Sequence, residues 1–535
     1  MEGSPLHLGV LAIIILIFMA LLSYLALQGY KTTQTAEDYL VAGRKIQPGI
    51  MALSYGATFI STSAIIGFGG AAGFWGFGLL WLTFLNIFLG IIIAFVLFGV
   101  PVRRLAVNLG CTTFPELLGE RYLSPFLTFL AGIMIFIFLP AYTSIILIGG
   151  GRFLEATLKI DFHVALFILA LIIGAYVITG GLKAVMYTDT LCAIIILTAM
   201  VVLLFYTYQA LGGILPAHEG LTALKNKVPE ELTVLGHQGW TAMPRFGSPI
   251  WWTLISTMIT GVGIGVLAQP QLIMRFMTVK KTSSLYRAVS TGSIFIFFTT
   301  GAVFLAGALS NLYFIKTRGD TALTVAENNI DLIIPLFINS LMPPWYIYLF
   351  IIALFSAAIS TLSSLIHVQG ASWGRDLVPT VRLWRGKSKP SPVNFIVRIG
   401  VFLGVVLAII LAYALPPGII AHATAFWFSI CASGFLPSLI GALYWKRSTR
   451  LGAIASIISG FTVSVAGYII LNINGIEAAG IPQVIAEERA FWDYPWMHVN
   501  PLFYALPVST IVFIAVSLLT PPPPEIHLKK CFKKQ

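Results

Sequence analysis

Two stretches of the chain place hydroxyl groups inside apolar sequence. The first, GATFISTSAIIGFGGAAG at 56–73, is rich in glycine, and the second, SAAIST at 356–361, ends on Ser360 and Thr361. Glycine costs about 1 kcal/mol relative to alanine inside a helix, so the first stretch is poorly suited to a plain membrane anchor. Hydroxyl and carbonyl oxygens are the ligands that hard cations prefer. These residues therefore offer oxygen coordination, and the alternative is close packing by small residues.

The spacing within the two stretches fits such a role. Ala357, Ser360 and Thr361 stand at i, i+3 and i+4, on one face of a helix. Ala57 and Ile60 are three residues apart, and a break in their helix would free both carbonyl oxygens from its hydrogen-bond ladder. Each hydroxyl taken alone has another reading, in which it bonds back to the preceding turn.

The elements that carry these residues are membrane helices. The chain is 58% hydrophobic and 10% charged, with a mean hydropathy of +0.91, which indicates a polytopic membrane protein. The first apolar run lacks a basic n-region, so we expect a retained helix and not a cleaved signal peptide. Thirteen helices are predicted, near 8–29, 48–77, 78–101, 124–149, 163–181, 187–209, 249–275, 288–314, 346–372, 396–415, 421–445, 452–472 and 501–520.

The distribution of basic residues predicts the orientation. An odd number of helices puts the termini on opposite sides, and with the N-terminus outside roughly three quarters of the 32 lysines and arginines fall in cytoplasmic segments. We therefore predict a plasma-membrane protein with a cytoplasmic C-terminus. Membrane topology also explains the net charge of +12, so nucleic acid is not an expected partner. The sequence leaves the oligomeric state open.

Several classes of protein fit the sequence poorly. The four cysteines show no zinc or disulfide spacing. The predicted helices contain almost no ionisable residues, which argues against an enzyme and against a proton-relay pump. A channel and a membrane sensor built on a transporter fold remain alternatives.

Helices two to six and seven to eleven form two blocks of five. Because five is an odd number, the two blocks have opposite orientations in the membrane. Both blocks open on a glycine-rich helix, and an interrupted helix in that place is typical of the LeuT-type fold. The predicted fold class is thus an all-α membrane protein with a 5+5 inverted repeat, one additional N-terminal helix and two C-terminal helices. The predicted divisions are 1–47, 48–210 (first repeat), 211–248 (outer loop), 249–450 (second repeat) and 451–535 (last helices and basic tail).

Three motifs resemble the sodium:solute symporter family. YVITGGLKAVMYTD at 176–189 is similar to the end of its fifth core helix, AQPQLIMRFM at 268–277 to the close of its sixth, and SAAISTLSSLIHVQGASWGRDL at 356–377 to its eighth. The resemblance covers about residues 36–450. It implies a sodium-coupled symporter that imports a small organic solute by alternating access, with sodium as its ion.

The resemblance also implies site residues. The sodium ligands would be the carbonyl oxygens of Ala57, Ile60 and Ala357 and the hydroxyls of Ser360 and Thr361. Asp189 would lie on the sodium exit path, or serve as an acid at a helix N-terminus, where the dipole favours it. Arg275 is a gate residue or a topological anchor.

The substrate is predicted from positions where this chain differs from carriers of known substrates. Sodium/proline carriers have an aspartate at the position of Phe59 and aromatic residues at Val262 and Val266, and sodium/sugar carriers have a glutamate near Trp75. A carboxylate-bearing solute, such as a monocarboxylate or a pantothenate-like acid, is therefore predicted, because helix N-termini favour anions. An amino acid or a sugar is the alternative. The predicted substrate residues are Thr58, Phe59, Ser61, Thr62, Phe74, Trp75, Val262, Val266 and Gln269.

Overall fold

The computed structural model describes residues 7–177, 181–386, 393–415, 418–472 and 494–533. Within these ranges the chain is all-helical apart from one isolated bridge between Ile46 and Val279. This bridge joins the segment before the helix Pro48–Phe59 to the segment after the helix Pro270–Phe276. The predicted all-α class is confirmed.

The helices of the first half follow the predicted apolar runs. Helix α8 begins where Ser124 accepts a hydrogen bond from the backbone of Leu127. The helices are α1 Leu8–Lys31, α2 Ala36–Val41, α3 Pro48–Phe59, α4 Phe68–Trp75, α5 Leu80–Leu85, α6 Val100–Leu109, α7 Phe114–Arg121, α8 Pro125–Leu158, α9 Phe162–Val177, α10 Leu182–Ala210, α11 Ile214–Ala223 and α12 Glu230–Val234. Wider π-turns at Ser63–Gly67 and Asn86–Gly99 lead into α4 and α6.

The second half is helical as well. Its helices are α13 Pro249–Trp252, α14 Val262–Gly265, α15 Pro270–Phe276, α16 Ser283–Arg318, α17 Ala322–Val325, α18 Ile333–Leu341, α19 Pro344–Ala371, α20 Val378–Trp384, α21 Val393–Ala414, α22 Ile420–Tyr444, α23 Arg450–Ile470, α24 Leu502–Leu519 and α25 Glu525–Cys531. Further π-turns at Thr253–Gly261 and Ser372–Leu377 link α13 to α14 and α19 to α20.

Eleven helical segments of the described residues are long and apolar enough to cross a membrane. The run Ser63–Leu109 counts as one such segment, but Gly76, with φ 64° and ψ −148°, interrupts it beside the predicted boundary between 48–77 and 78–101. Helix α9 has 16 residues, which is short for a span. The end of the predicted helix 163–181, with residues 178–180 of the first motif, lies outside the described residues. The number thirteen and the repeat boundaries therefore stay predictions.

The helices that open the two predicted repeats are both interrupted. Helix α3 ends at Phe59, and Ile60 is extended with ψ 91°. In the second repeat Gln269 is extended with ψ 116° between α14 and α15. Pro270 explains this second break, because proline disfavours helical backbone in the residue before it. Both predicted interruptions are present.

The glycines of the first stretch also allow close packing. A Cβ atom on Gly70 would collide with the carbonyl oxygen of Ile330, and the carbonyl oxygen of Gly69 occupies the space beside Gly307. Helix α4 therefore lies directly against α16 and against the turn Ile330–Leu332 before α18. The packing alternative is correct for these glycines.

Helix α19 lies at the centre of the molecule. Its most apolar 18-residue window is 94% buried, and α3, α8, α10 and α21 pack against α19. A helix segment that is enclosed by other helices can hold hydroxyl groups without exposing them to lipid. This position brings the second hydroxyl stretch against the broken end of α3.

Candidate functional site

The end of α3 and the middle of α19 meet through two hydroxyls. The Ser360 Oγ donates to the carbonyl oxygen of Ala57 at 2.9 Å, and the Thr361 Oγ1 donates to that of Thr58 at 3.0 Å. Ser360 and Thr361 are both fully buried. The Ser360 Oγ also lies 2.8 Å from the carbonyl oxygen of Ser356, one turn earlier. Bonding back to the helix and bridging to α3 therefore occur together.

Four of the five predicted sodium ligands converge at this junction. The Ala57 carbonyl oxygen is 3.5 Å from the Thr361 Oγ1, and the Ala357 carbonyl oxygen is 3.3 Å from the Ser360 Oγ. Ile60 lies at the break, and its N–H donates to the carbonyl oxygen of Gly56 at 2.8 Å. Among the described residues, no hydrogen bond joins its carbonyl oxygen to Ser360 or Thr361. The junction supplies neutral oxygens only, which suits a monovalent hard cation.

Beside this junction lies a buried ion pair. The Arg275 Nη2 is 2.8 Å from the Asp189 Oδ2, and both side chains are 1% exposed. Ser54 connects the two, since its Oγ is 2.7 Å from the Asp189 Oδ2 and 3.0 Å from the Arg275 Nε. The pair therefore joins α10 to α15 through α3.

Thr58 belongs to this network and not to a cavity wall. Its Oγ1 is 3.0 Å from the Ser364 Oγ and 3.5 Å from the Asp189 Oδ2. Ser364 also accepts a hydrogen bond from Arg275. The ion pair is thereby connected to α19 one turn from Ser360. A displacement of α19 would therefore disturb both the ion pair and the junction of α19 with α3.

A small cavity lies on the other side of the break. Phe59, Ser61 and Val262 are the predicted substrate residues that line it. About 20 Å³ is open to the centre of a water molecule, which is room for about one water. The cavity is closed in this conformation, and a solute requires the surrounding helices to move apart.

The other predicted substrate residues lie elsewhere. Thr62 donates to the carbonyl oxygen of Ile146 at 2.6 Å, and Gln269 accepts a hydrogen bond from the indole of Trp427 at 2.8 Å. Val266 is buried in the core. Phe74 and Trp75 lie two turns further along α4.

Sequence reasoning missed two polar residues of the cavity. Asn86 is 2% exposed, lines the cavity and has no partner for its Oδ1 among the described residues. The hydroxyl of Tyr142 faces the pair formed by Ser61 and Ser63, whose oxygens are 2.6 Å apart. An asparagine inside the apolar run 78–101 was the available signal for Asn86, because membrane helices rarely carry an amide without a use for it. Nothing local distinguishes Tyr142 from other aromatic residues.

Aromatic and imidazole rings lie beyond the cavity near the end of α4. The Trp75 ring is 5.8 Å from that of His422, and the His237 Nε2 lies 2.9 Å from the carbonyl oxygen of Phe74. Burial lowers the pKa of His237, which lies in the loop between α12 and α13. His237 belongs to the segment 211–248 that the sequence predicts as an outer loop, so this contact joins that segment to the end of α4.

Asp331 is a buried acid in the turn before α18. It lies in the short turn Ile330–Leu332 before α18, is fully buried, and faces the backbone N–H groups of Gly418 and Ile420 at the start of α22. Burial raises the pKa of Asp331 to about 7, and the N–H groups oppose this shift. The carboxyl group therefore lies at the N-terminus of the helix that carries Thr424 and Phe428 of the cavity, where the helix dipole favours a negative charge.

Comparison with known proteins gives one consistent result. Residues 39–460 match the sequence model of the sodium:solute symporter family. A sodium/pantothenate symporter of Haemophilus influenzae is 27% identical over 84% of this chain and 87% of its own length. A high-affinity proline transporter of Bacillus subtilis is 27% identical over 83% and 88%, and a sodium/proline symporter of Staphylococcus aureus is 28% identical over 96% and 93%.

A solved structure shares the fold. It is a Na+-coupled sialic acid symporter in a substrate-bound, outward-open state, and it matches with a TM-score of 0.73 over 96% of this chain and 98% of its own. The sequence identity is 18%, so this likeness establishes the architecture alone. It supports the LeuT-type fold that the interrupted helices predict.

Proposed function

The chain belongs to the sodium:solute symporter family, and on that premise we propose that it imports a small carboxylate-bearing solute together with sodium by alternating access. It is a multi-pass membrane transporter and not an enzyme, and sodium is its coupling ion. The proposed solute is a monocarboxylate or a pantothenate-like acid. The proposed location is the plasma membrane, with the N-terminus outside and the C-terminus in the cytoplasm.

The observation that carries the proposal is the junction of α3 and α19. In the proposed mechanism, sodium binds between the carbonyl oxygens of Ala57, Ile60 and Ala357 and the hydroxyls of Ser360 and Thr361. Hydroxyls that donate to carbonyl oxygens in this structure would turn their lone pairs to the ion. Bound sodium would then hold α19 against α3, and its loss would release them.

The ion pair has a role in the proposed release of sodium to the cytoplasm. Asp189 and Arg275 lie next to the junction and share Ser54 and Ser364 with it. We propose that they act in sodium release and gating, since a carboxylate beside the site attracts a departing cation.

A carboxylate solute fits the cavity in two respects. The helical segment after the break starts near Ser61 and Ser63, where its N-terminal dipole favours an anion. The hydroxyls there and the amide of Asn86 can bind the polar groups of such a solute, while Phe59 and Val262 contact its apolar part. A relative that is named a sodium/pantothenate symporter, similar over most of both chains, supports this substrate class.

A proline-like amino acid is the second candidate. The proline transporters of Bacillus subtilis and Staphylococcus aureus are as similar as the pantothenate symporter. However, Phe59 and Val262 offer only apolar contact where proline carriers have an aspartate and an aromatic residue. The carboxylate proposal is therefore preferred.

Uptake into proteoliposomes tests the substrate. An inward sodium gradient should drive accumulation of pantothenate or a monocarboxylate, whereas proline, hexoses and polyols should compete weakly. Asn86→Ala should raise the KM for the solute several-fold, because a buried hydrogen bond contributes about 1 kcal/mol. Thr198→Ala, which changes an exposed hydroxyl on α10, is the matched control. Transport of a neutral sugar with no response to any carboxylate would overturn the substrate proposal and leave the symporter standing.

A further inference from the structure

Helix α25 is a short amphipathic helix beside the end of α24. Prolines 521–524 separate the two helices. One face of α25 is fixed to the rest of the protein: Cys531 is 2% exposed, and the Asn108 Nδ2 donates to the carbonyl oxygens of Cys531 and Lys533 at 3.2 and 3.0 Å. The His527 Nε2 lies 3.1 Å from the carbonyl oxygen of Arg121. These contacts set which face points outward.

The outward face carries three lysines and one isoleucine. Ile526, Lys529 and Lys530 stand at i, i+3 and i+4, on one side of the helix, and Lys533 follows two residues after the helix ends. All four are exposed, Ile526 at 85%. The three lysines form no ion pair with any residue that the structure describes.

The basic surface extends to the neighbouring segment. The Lys446 Nζ lies 5.8 Å from the ring centre of Phe532, the residue that follows α25. Lys446 is also exposed. Glu525, in the first turn of α25, is the one acid of that helix. The surface therefore retains an excess of positive charge.

We propose that this face, Ile526 with Lys529, Lys530 and Lys533, binds the headgroups of anionic phospholipids at the membrane surface. Helix α24 is long and apolar enough to cross the membrane, and Leu519 at its end is 85% exposed. The helix that follows it after four prolines therefore lies at the height of the headgroups. Clustered lysines beside a membrane helix bind anionic lipid electrostatically, and the isoleucine can enter the acyl boundary.

A protein partner fits this face less well. Stable protein interfaces bury about 800 Å² on each partner around an apolar core. One isoleucine among lysines supplies no such core. The chemistry that complements the surface is a layer of phosphate groups over hydrocarbon.

A fluorescent label at position 526 tests the proposal on the full-length protein. Ile526→Cys labelled with bimane is reconstituted in phosphatidylcholine vesicles with or without phosphatidylglycerol. Wild type treated with the same bimane reagent controls for the four native cysteines, which are buried. Emission should shift to the blue when phosphatidylglycerol is present, and about 1 M salt should reverse the shift because it screens the charges.

The charge variants decide whether the response to phosphatidylglycerol depends on these three lysines or on the positive charge of the protein as a whole. Lys529→Gln/Lys530→Gln/Lys533→Gln should weaken the response to phosphatidylglycerol at least about tenfold in lipid concentration, and the triple arginine variant should retain it. Lys225→Gln/Lys227→Gln/Lys316→Gln is the matched control, since it changes three exposed lysines that the sequence predicts on the opposite side of the membrane. Equal emission in both lipids, or an unchanged response in the glutamine variant, would overturn the proposal. So would a shift that follows protein concentration, which would indicate a second copy of the chain.

Discussion

The hydroxyl oxygen of Ser360 lies 2.9 Å from the carbonyl oxygen of Ala57, across 303 residues of sequence. This contact joins the most enclosed helix, α19, to the broken end of α3. Both oxygens are neutral, so an ion bound between them would carry its full charge into the protein. Any relative movement of the two helices changes the distance between its ligands. In the proposed mechanism, occupancy of the site by sodium would therefore depend on the position of α19.

The first prediction concerns the buried ion pair. Asp189→Asn should slow sodium release and turnover more than it weakens binding from the outside, because the carboxylate no longer attracts the departing ion. Stopped-flow measurement of release and equilibrium measurement of binding separate the two effects. Equal effects on both would make Asp189 a structural residue.

The same variant should also lower thermal stability, because it leaves the Arg275 guanidinium buried without a counter-charge. Breaking a buried pair costs about 3–5 kcal/mol. The double variant Asp189→Asn/Arg275→Gln removes both charges and serves as the control. It should be more stable than Asp189→Asn alone.

The second prediction is a pH dependence that arises from Asp331. Its pKa in the folded protein is raised to about 7 from an ordinary value of 3.8, so the folded state holds a proton that the unfolded state has lost. Stability from this group is therefore fully present below about pH 4 and is lost as the pH rises through about 7. The midpoint of thermal unfolding should fall over this range in the wild type and fall less in Asp331→Asn. Asp320→Asn, an exposed acid before α17, should follow the wild type, and parallel curves for all three proteins would refute this role.

The third prediction concerns the packing of α4. Gly70→Ala should lower the Tm, since its Cβ would collide with the backbone oxygen of Ile330, which cannot rotate away. Gly301→Ala on α16 has open space around the added atom and should leave the Tm unchanged or raise it, because alanine favours the helix by about 1 kcal/mol. A similar loss in both variants would mean that the tight contact does not matter.

The fourth prediction is topological. Arg385→Cys lies after α20, in a segment that we predict to be cytoplasmic. An impermeant maleimide added to intact cells should leave this cysteine unlabelled, and permeabilised cells should show labelling. Lys227→Cys in the predicted outer loop should label in intact cells. Labelling at 385 from outside would reverse the proposed orientation.

The sequence was sufficient to predict a helix interruption where one residue dictates the backbone conformation. Pro270 fixes an extended Gln269, so the second interruption could be predicted from sequence alone. Within the run Ser63–Leu109 the helix is interrupted at Gly76, whose φ is 64° and ψ −148°, beside the predicted boundary between 48–77 and 78–101. Hydropathy gives apolar length but does not distinguish a kink from a loop.

The substrate cavity depended more on tertiary structure. Ser61 and Phe59 flank the break and could be placed near a cavity from their own helix. Tyr142 enters the cavity from α8, and only the packing of that helix brings its hydroxyl to Ser61. Thr62 is next to Ser61 but points to α8, because adjacent residues on a helix face different directions.

The most direct test of the sodium site is the sodium dependence of solute uptake in proteoliposomes, compared between wild type and Ser360→Ala. Losing one oxygen ligand should raise the sodium concentration for half-maximal uptake about tenfold, as expected for a contact to a charged group. Ser363→Ala removes a hydroxyl that bonds only within its own helix among the described residues, and it should leave that concentration unchanged. An unaltered sodium dependence in Ser360→Ala, or an equal change in Ser363→Ala, would contradict the site at the junction of α3 and α19.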